Sequence, residues 1–386
     1  MHRSLAAAIV IAILVRLILF LYAVHQPLEN ERRQVVSPVS VQQGLDFDFY
    51  DKSRRIIARG IGEIFSRFQS NYHQPFEEWG SLVISSPALP ILLAIFDYGP
   101  GNTLPLAIIY LLLGCGLAAA WLAWLHSKNV SWQWLFVFSL VPNPIWFALN
   151  ISTDLLFAVA FAAFYLVYFP IRSGERRWGW ITALLLLAIA TRPNAISIAL
   201  FVMLDAVFNG NNLSRRVKAS VVASIFAVLV PVSVYYFPYL LMFVEASQKI
   251  TYFGTSQSAY LAGVFPSLPA FFDKVLSWFS LFAAKILYFC GLRPSYADTE
   301  PLFVFARAAV GVITLPGLIY ALTRGYRSDK LLLAVFMLPV FLGATQDRYN
   351  LPIMPLLFFY GVRAYGAGHR LLIDKALQWR TFRGQT

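Results

Sequence analysis

Long apolar stretches separated by polar connections recur along the chain. A helix that crosses a bilayer needs about 20 mostly apolar residues. Candidates run from Leu5 to Val24, Thr103 to Leu125, Trp132 to Leu149, Thr153 to Pro170 and Trp178 to Ala190. Others run from Ala195 to Phe208, Val217 to Val244, Leu302 to Leu322, Lys330 to Thr345 and Leu351 to Tyr365. The first carries Arg16 and is followed by no small-residue cleavage site, so it reads as a retained helix. Leu82 to Phe96 is short and holds Pro87 and Pro90, while Phe271 to Leu292 is interrupted by Lys274 and Lys285. Both read as half-helices or interfacial helices. The expected fold is an all-α polytopic membrane protein, one transmembrane domain over residues 1–386 with about 10–11 spans.

Lys and Arg in short loops orient such a chain. Arg172 to Arg177, Arg215 to Lys218, Arg324 to Lys330 and the C-terminal tail are rich in them, which puts these segments and both termini in the cytoplasm. Residues 25–102 and 245–301 then form two outer loops. Within the first, Ile57, Ile61, Ile64, Phe65 and Phe68 make one apolar helical face, and Arg55, Arg59, Glu63 and Arg67 line another. This pattern predicts a helix lying in the headgroup plane.

Composition agrees with this reading. Of 386 residues 59% are hydrophobic and 13% charged, about half the charge of an average soluble domain. The net charge of +12 follows from basic inner loops, and no basic patch interleaved with aromatics suggests a nucleic-acid partner. Cys115 and Cys290 lie in apolar stretches and have no metal-ligand spacing. No Gly-rich phosphate loop or nucleophile elbow occurs.

Four short constellations carry candidate chemistry, and all fall on the outer side. Asp46, Asp48 and Asp51 alternate with aromatics around Tyr50. A carboxylate at this boundary can take a proton from a hydroxyl, as a general base. The same acids can instead cap the next helix or neutralise Lys52, Arg54 and Arg55. Arg192 stands in the turn Thr191 to Asn194, between two otherwise uncharged helices. An arginine at membrane depth needs a partner: a lipid-linked phosphate, or a carboxylate in a structural pair. Arg348 and Tyr349, followed by Pro352 and Pro355, form a rigid phosphate platform or a local Asp347–Arg348 pair. Asn150 to Asp154 is a further turn, where Asp154 enters a span as a helix cap or as a functional acid. Arg16 is a candidate partner for it. His73, near Glu77 and Glu78, is the one outer histidine placed to ligate a metal.

In their order along the chain these motifs resemble those of the GT-C superfamily of integral-membrane glycosyltransferases. The likeness rests on Asp46 four residues before Tyr50 and on Ser86-Pro87-Ala88-Leu89-Pro90. It rests also on the turn Asn150 to Asp154 after a Pro-bearing span, and on Arg348-Tyr349 with its prolines. The resemblance implies a polyprenyl-phosphate sugar as donor, a lipid-linked or glycan acceptor, and an inverting transfer on the periplasmic face of a bacterial inner membrane. It implies Asp46 as the base, with Arg192, Arg348 and Tyr349 on the donor phosphate. Here Phe47 follows Asp46 and Asp48 comes next, so either acid is a candidate base. A divalent cation stays an option and no metal ligand set is assigned. The aromatic-Asp alternation is similar to that of mannosyltransferases. A transporter of lipid-linked sugars is the alternative, since it would use the same arginines without a base.

Overall fold

The computed structural model describes residues 2–25, 28–29, 35–36, 88–96, 104–149, 151–171, 178–209, 214–216, 218–227, 229–230, 247–292, 301–343 and 347–383. The fold is all-α apart from two short antiparallel pairings, Leu28–Glu29 with Val35–Val36 and Thr251–Tyr252 with Thr255–Ser256.

Helix α1 (His2–His25) shows how its sequence selects its neighbours. Ala8, Ala12, Arg16 and Phe20 recur every four residues and are all buried, whereas Val10, Leu14, Ile18 and Tyr22 form the opposite, exposed stripe. The small Ala8 and Ala12 let the next helices approach, and the Ser139 hydroxyl donates to the Ala8 carbonyl at 3.0 Å. After the short α2 (Ala88–Phe96) comes α3 (Leu104–Ser127), which turns Ala107, Leu111, Gly114, Ala118, Trp121 and Leu125 inward. That stripe of period near 3.5 is what a close helix pair requires.

One expected span is broken. Trp132 to Leu149 reads as a single apolar run, yet the structure divides it into α4 (Trp132–Ser139) and α5 (Pro142–Ala148). Pro142 and Pro144 lack the amide hydrogens a continuing helix would use, and the residue before a proline is driven out of the α region. Val141 accordingly takes φ −59°, ψ 121°.

Helix α6 (Thr153–Ile171) is the hub, with nearly every residue buried or half-buried, so its apolar character on all sides is explained by packing. Around it stand α7 (Trp178–Thr191), α8 (Ile196–Phe208) and the later helices. A small outlying cluster of Tyr252, Tyr260, Leu281, Ala284 and Tyr288 ties α9 (Gln257–Ala262) to α10 (Ala270–Phe289). Helices α11 (Pro301–Arg324) and α13 (Met354–Arg383) pack closely, with α12 (Arg327–Leu342) between them in sequence. A Cβ on Gly317 would overlap the Leu357 carbonyl, and one on Gly361 the Ile313 carbonyl, so these two glycines set the α11–α13 approach.

Among the described residues, two helices are long and apolar enough to cross a membrane by length and composition, Arg3–Tyr22 and Leu104–Ser127. Gly179–Thr191 and Ile196–Phe208 are apolar but shorter. Of the runs read as full spans, Trp132 to Leu149 is the one that prolines divide among the described residues. Residues 217, 228 and 231–244 of the Val217 to Val244 candidate, and the amphipathic stretch 57–68, lie outside the described residues.

Candidate functional site

The helices sort the chain's polar groups to two ends of the bundle. At one end α6 begins, α7 ends, and the 3-10 turn Asp347–Asn350 leads towards α13. Arg192 follows the last residue of α7, its backbone amide still donating to the Ala188 carbonyl at 3.0 Å. Its Nε donates to the Thr153 hydroxyl at 3.1 Å, and its Nη2 lies 2.9 Å from Asp154 Oδ1. No N–H is directed at that Oδ1, so the second contact is a close ion pair and not an aligned hydrogen bond. The guanidinium also stands 5.2 Å from the centre of the Tyr349 ring, within cation–π range. Residues distant in sequence therefore meet in one buried cluster: Asp154 is 3% and Arg192 8% exposed.

Each partner is held from outside the cluster. Asp154 lies in the first turn of α6, where the helix dipole favours a carboxylate. The Tyr110 hydroxyl donates to the Ser152 carbonyl at 2.7 Å, fixing the turn before it. Beyond Tyr349, the Asn350 side-chain amide donates to the Phe289 carbonyl at 2.7 Å and anchors the 3-10 turn to the end of α10. Nearby, the buried Lys285 ammonium donates to the carbonyls of Phe341 and Gly343 at 2.6 and 2.8 Å. It thereby satisfies the orphan acceptors at the C-terminus of α12. In sequence Lys285 reads as an interruption of an apolar run. Its place at a helix end shows it to be a cap.

Of the residues singled out from sequence, Arg192, Asp154 and Tyr349 are brought together. The carboxylate partner considered for Arg192 is Asp154. Arg16 is not the partner of Asp154. It is 2% exposed, its Nη1 donates to Ala12 on its own helix at 2.9 Å, and its Nε has no hydrogen-bond partner among the described residues. Arg16 lies on the buried stripe of α1, the face that packs against α3 and α4. Asp46, Asp48, Tyr50, His73 and Asn150 lie outside the described residues, as does the Arg348 side chain. Among the described residues no cluster of three or more His, Cys, Asp or Glu could hold a metal.

The opposite end contains a network of buried acids and tyrosines. Asp329 Oδ2 accepts from the Tyr360 hydroxyl at 2.6 Å, and its Oδ1 from Tyr165 at 3.4 Å. Tyr360 in turn accepts from the Tyr326 amide at 3.1 Å. Asp205 accepts from the Tyr168 hydroxyl at 2.7 Å and from the Asn209 amide at 2.8 Å. Burial pushes the Asp329 carboxyl above its usual range; the Tyr360 hydrogen bond and the Lys128 charge oppose the rise. A signal for Asp205 was present: an acid inside an apolar helix is rare, as with Asp154. For Asp329, beside Arg327 and Lys330, the charged surroundings in sequence hide a buried position.

No protein-family model matches this chain, and comparisons with curated proteins and with solved structures return no match.

Proposed function

We propose that this chain is a polytopic inner-membrane glycosyltransferase of GT-C type, transferring a sugar from a polyprenyl-phosphate donor on the periplasmic side. Membrane immersion is supported by an inverted surface. On α1, Arg16 is 2% exposed while Ile18 is 62% exposed, and large apolar side chains such as Trp180, Phe271 and Phe279 stand open as well. A water-facing protein buries such groups; a lipid-facing one presents them.

The observation that carries the functional reading is the Arg192–Asp154–Tyr349 cluster. It lies near the start of α3, whose Tyr110 holds the turn that precedes Asp154. In the sequence, Asp46 and Asp48 belong to the segment between α1 and α3, and the proposal brings one of them to this cluster as the base. In the proposed step, Asp46 or Asp48 removes the proton of an acceptor hydroxyl. The hydroxyl oxygen forms a bond to the anomeric carbon as the bond from that carbon to the phosphate oxygen breaks. Configuration inverts and polyprenyl phosphate leaves, its negative charge stabilised by Arg348 together with the Arg192–Tyr349 pair. Asp154 orients the Arg192 guanidinium for this role.

The test is transfer from a radiolabelled polyprenyl-phosphate sugar by purified protein, followed as new glycoside. Asp46→Asn should lower the rate by about 100-fold or more without changing the melting temperature. Asp48→Asn inactive beside an active Asp46→Asn would move the base by two residues. Full activity of both variants would remove the mechanism. Sugar moved across vesicles without any new glycoside would identify a transporter.

A further inference from the structure

The end of the bundle opposite Arg192 holds two adjoining cavities. One, of about 950 Å³, opens between the end of α3, the end of α8 and the start of α12. Lys128 and Arg327 supply its cations, and Trp124, Phe169, Phe208 and Phe359 much of its apolar wall. The other, of about 910 Å³, shares Lys128 and Phe359 and adds Trp134, Arg363 and His369. The ridge between them is electrostatically built: Arg363 stands 4.6 Å from the Phe359 ring centre and 5.9 Å from Tyr326, and Lys128 stands 5.9 Å from Trp124. Each of these cations stands over an aromatic ring at the cavity edge. Asp329 also lines the larger cavity, but both its oxygens are engaged by Tyr360 and Tyr165. By charge, this is the cytoplasmic end.

We propose that this crevice is a binding site for an anionic membrane phospholipid of the inner leaflet. Its phosphate would lie between Lys128, Arg327 and Arg363, and an acyl chain would run along Trp124, Phe169 and Phe208. The chemistry selects the occupant. Cations rimming an aromatic wall suit a molecule with a phosphate at one end and hydrocarbon at the other. A volume near 950 Å³ accommodates a headgroup with part of a chain. Exposed cations alone would attract any anionic surface; the apolar walls add the requirement for a chain. This site rests on the membrane reading but not on the catalytic one, since it shares no residue with the Arg192 cluster.

The test uses the full chain in detergent. Native mass spectrometry would titrate dioleoyl-phosphatidylglycerol, dioleoyl-phosphatidylcholine, inorganic phosphate and ATP. The anionic lipid should bind at least about tenfold more tightly than the zwitterionic one. The double variant Lys128→Gln/Arg327→Gln should lose about tenfold for phosphatidylglycerol and little for phosphatidylcholine. Arg215→Gln/Arg216→Gln, which removes two exposed inner-end cations outside the cavities, should keep wild-type binding. Ala123→Trp, filling the cavity without changing charge, should also weaken the anionic lipid, which keeps the test valid if the charge variants fold poorly. Equal binding of the two lipids, equal loss in both double variants, or displacement of the lipid by phosphate or ATP would overturn the site. Sugar transfer by the same preparation reads the catalytic proposal separately: lipid binding without transfer removes only that proposal, and transfer without lipid binding removes only this one.

Discussion

Arg192 and Asp154 illustrate what a single charge does at a buried position. Each would be costly alone, and together they sit 2.9 Å apart with Thr153 and Tyr349 completing the enclosure. Arg192→Ala leaves the Asp154 carboxylate buried without its counter-charge, a loss of about 3–5 kcal/mol. Replacing both, as Arg192→Ala/Asp154→Ala, should recover much of that stability, because no orphan charge remains. A double-mutant cycle read by denaturation in detergent checks the coupling; additive losses would show the pair to be incidental. Arg192→Lys keeps the charge but loses the planar fork, so it should retain more stability than activity. Arg16 presents a different case, a cation whose described hydrogen bond runs to its own helix.

At the scale of elements, close approach and interruption shape the bundle. Gly317 and Gly361 face each other's helices, so Gly361→Val forces backbone apart and should cost about 1–3 kcal/mol. Gly116, inside α3, has open space where a Cβ would go, so Gly116→Ala should stabilise by about 0.5–1 kcal/mol through helix propensity. Melting temperatures of the two variants in one detergent, moving in opposite directions, check the pair. Most helices were legible from apolar runs: α1, α3, α6, α7 and α8 begin and end close to where hydropathy and turn residues put them. The division of Trp132 to Leu149 comes from Pro142 and Pro144, a local rule that overrides the apolar length of the run. The role of Lys285 was beyond reach, since a helix cap supplied from 56 and 58 residues away leaves no local trace.

At the scale of the whole molecule, many large apolar side chains of the described residues face outward, while Arg16, Asp154, Arg192, Asp205, Lys285 and Asp329 are buried. The antiparallel helices carry Thr153, Arg192 and Tyr349 to one end and Lys128, Asn209 and Arg327 to the other. Along α6 alone, Asp154 and Tyr165 are about 16 Å apart. A chain oriented by its basic loops should therefore expose Ser214 to the cytoplasm and Ser258 to the outside. Single cysteines placed there, in a background with Cys115 and Cys290 replaced by alanine, report this directly. An impermeant maleimide should label Ser258→Cys in intact spheroplasts and Ser214→Cys only after lysis. Labelling of both before lysis would contradict the topology.

The sequence by itself determined the all-helical class, most helix positions and the small set of charged residues placed in apolar surroundings. These follow from short-range periodicity and from the cost of burying charge, both readable within a few turns of chain. Tertiary structure alone decided that Arg192 and not Arg16 meets Asp154, that Lys285 closes α12, and that Asp205 and Asp329 are gripped by tyrosines. Such pairings depend on which helix faces come into contact, and a buried charge takes the partner that packing places within a few ångströms.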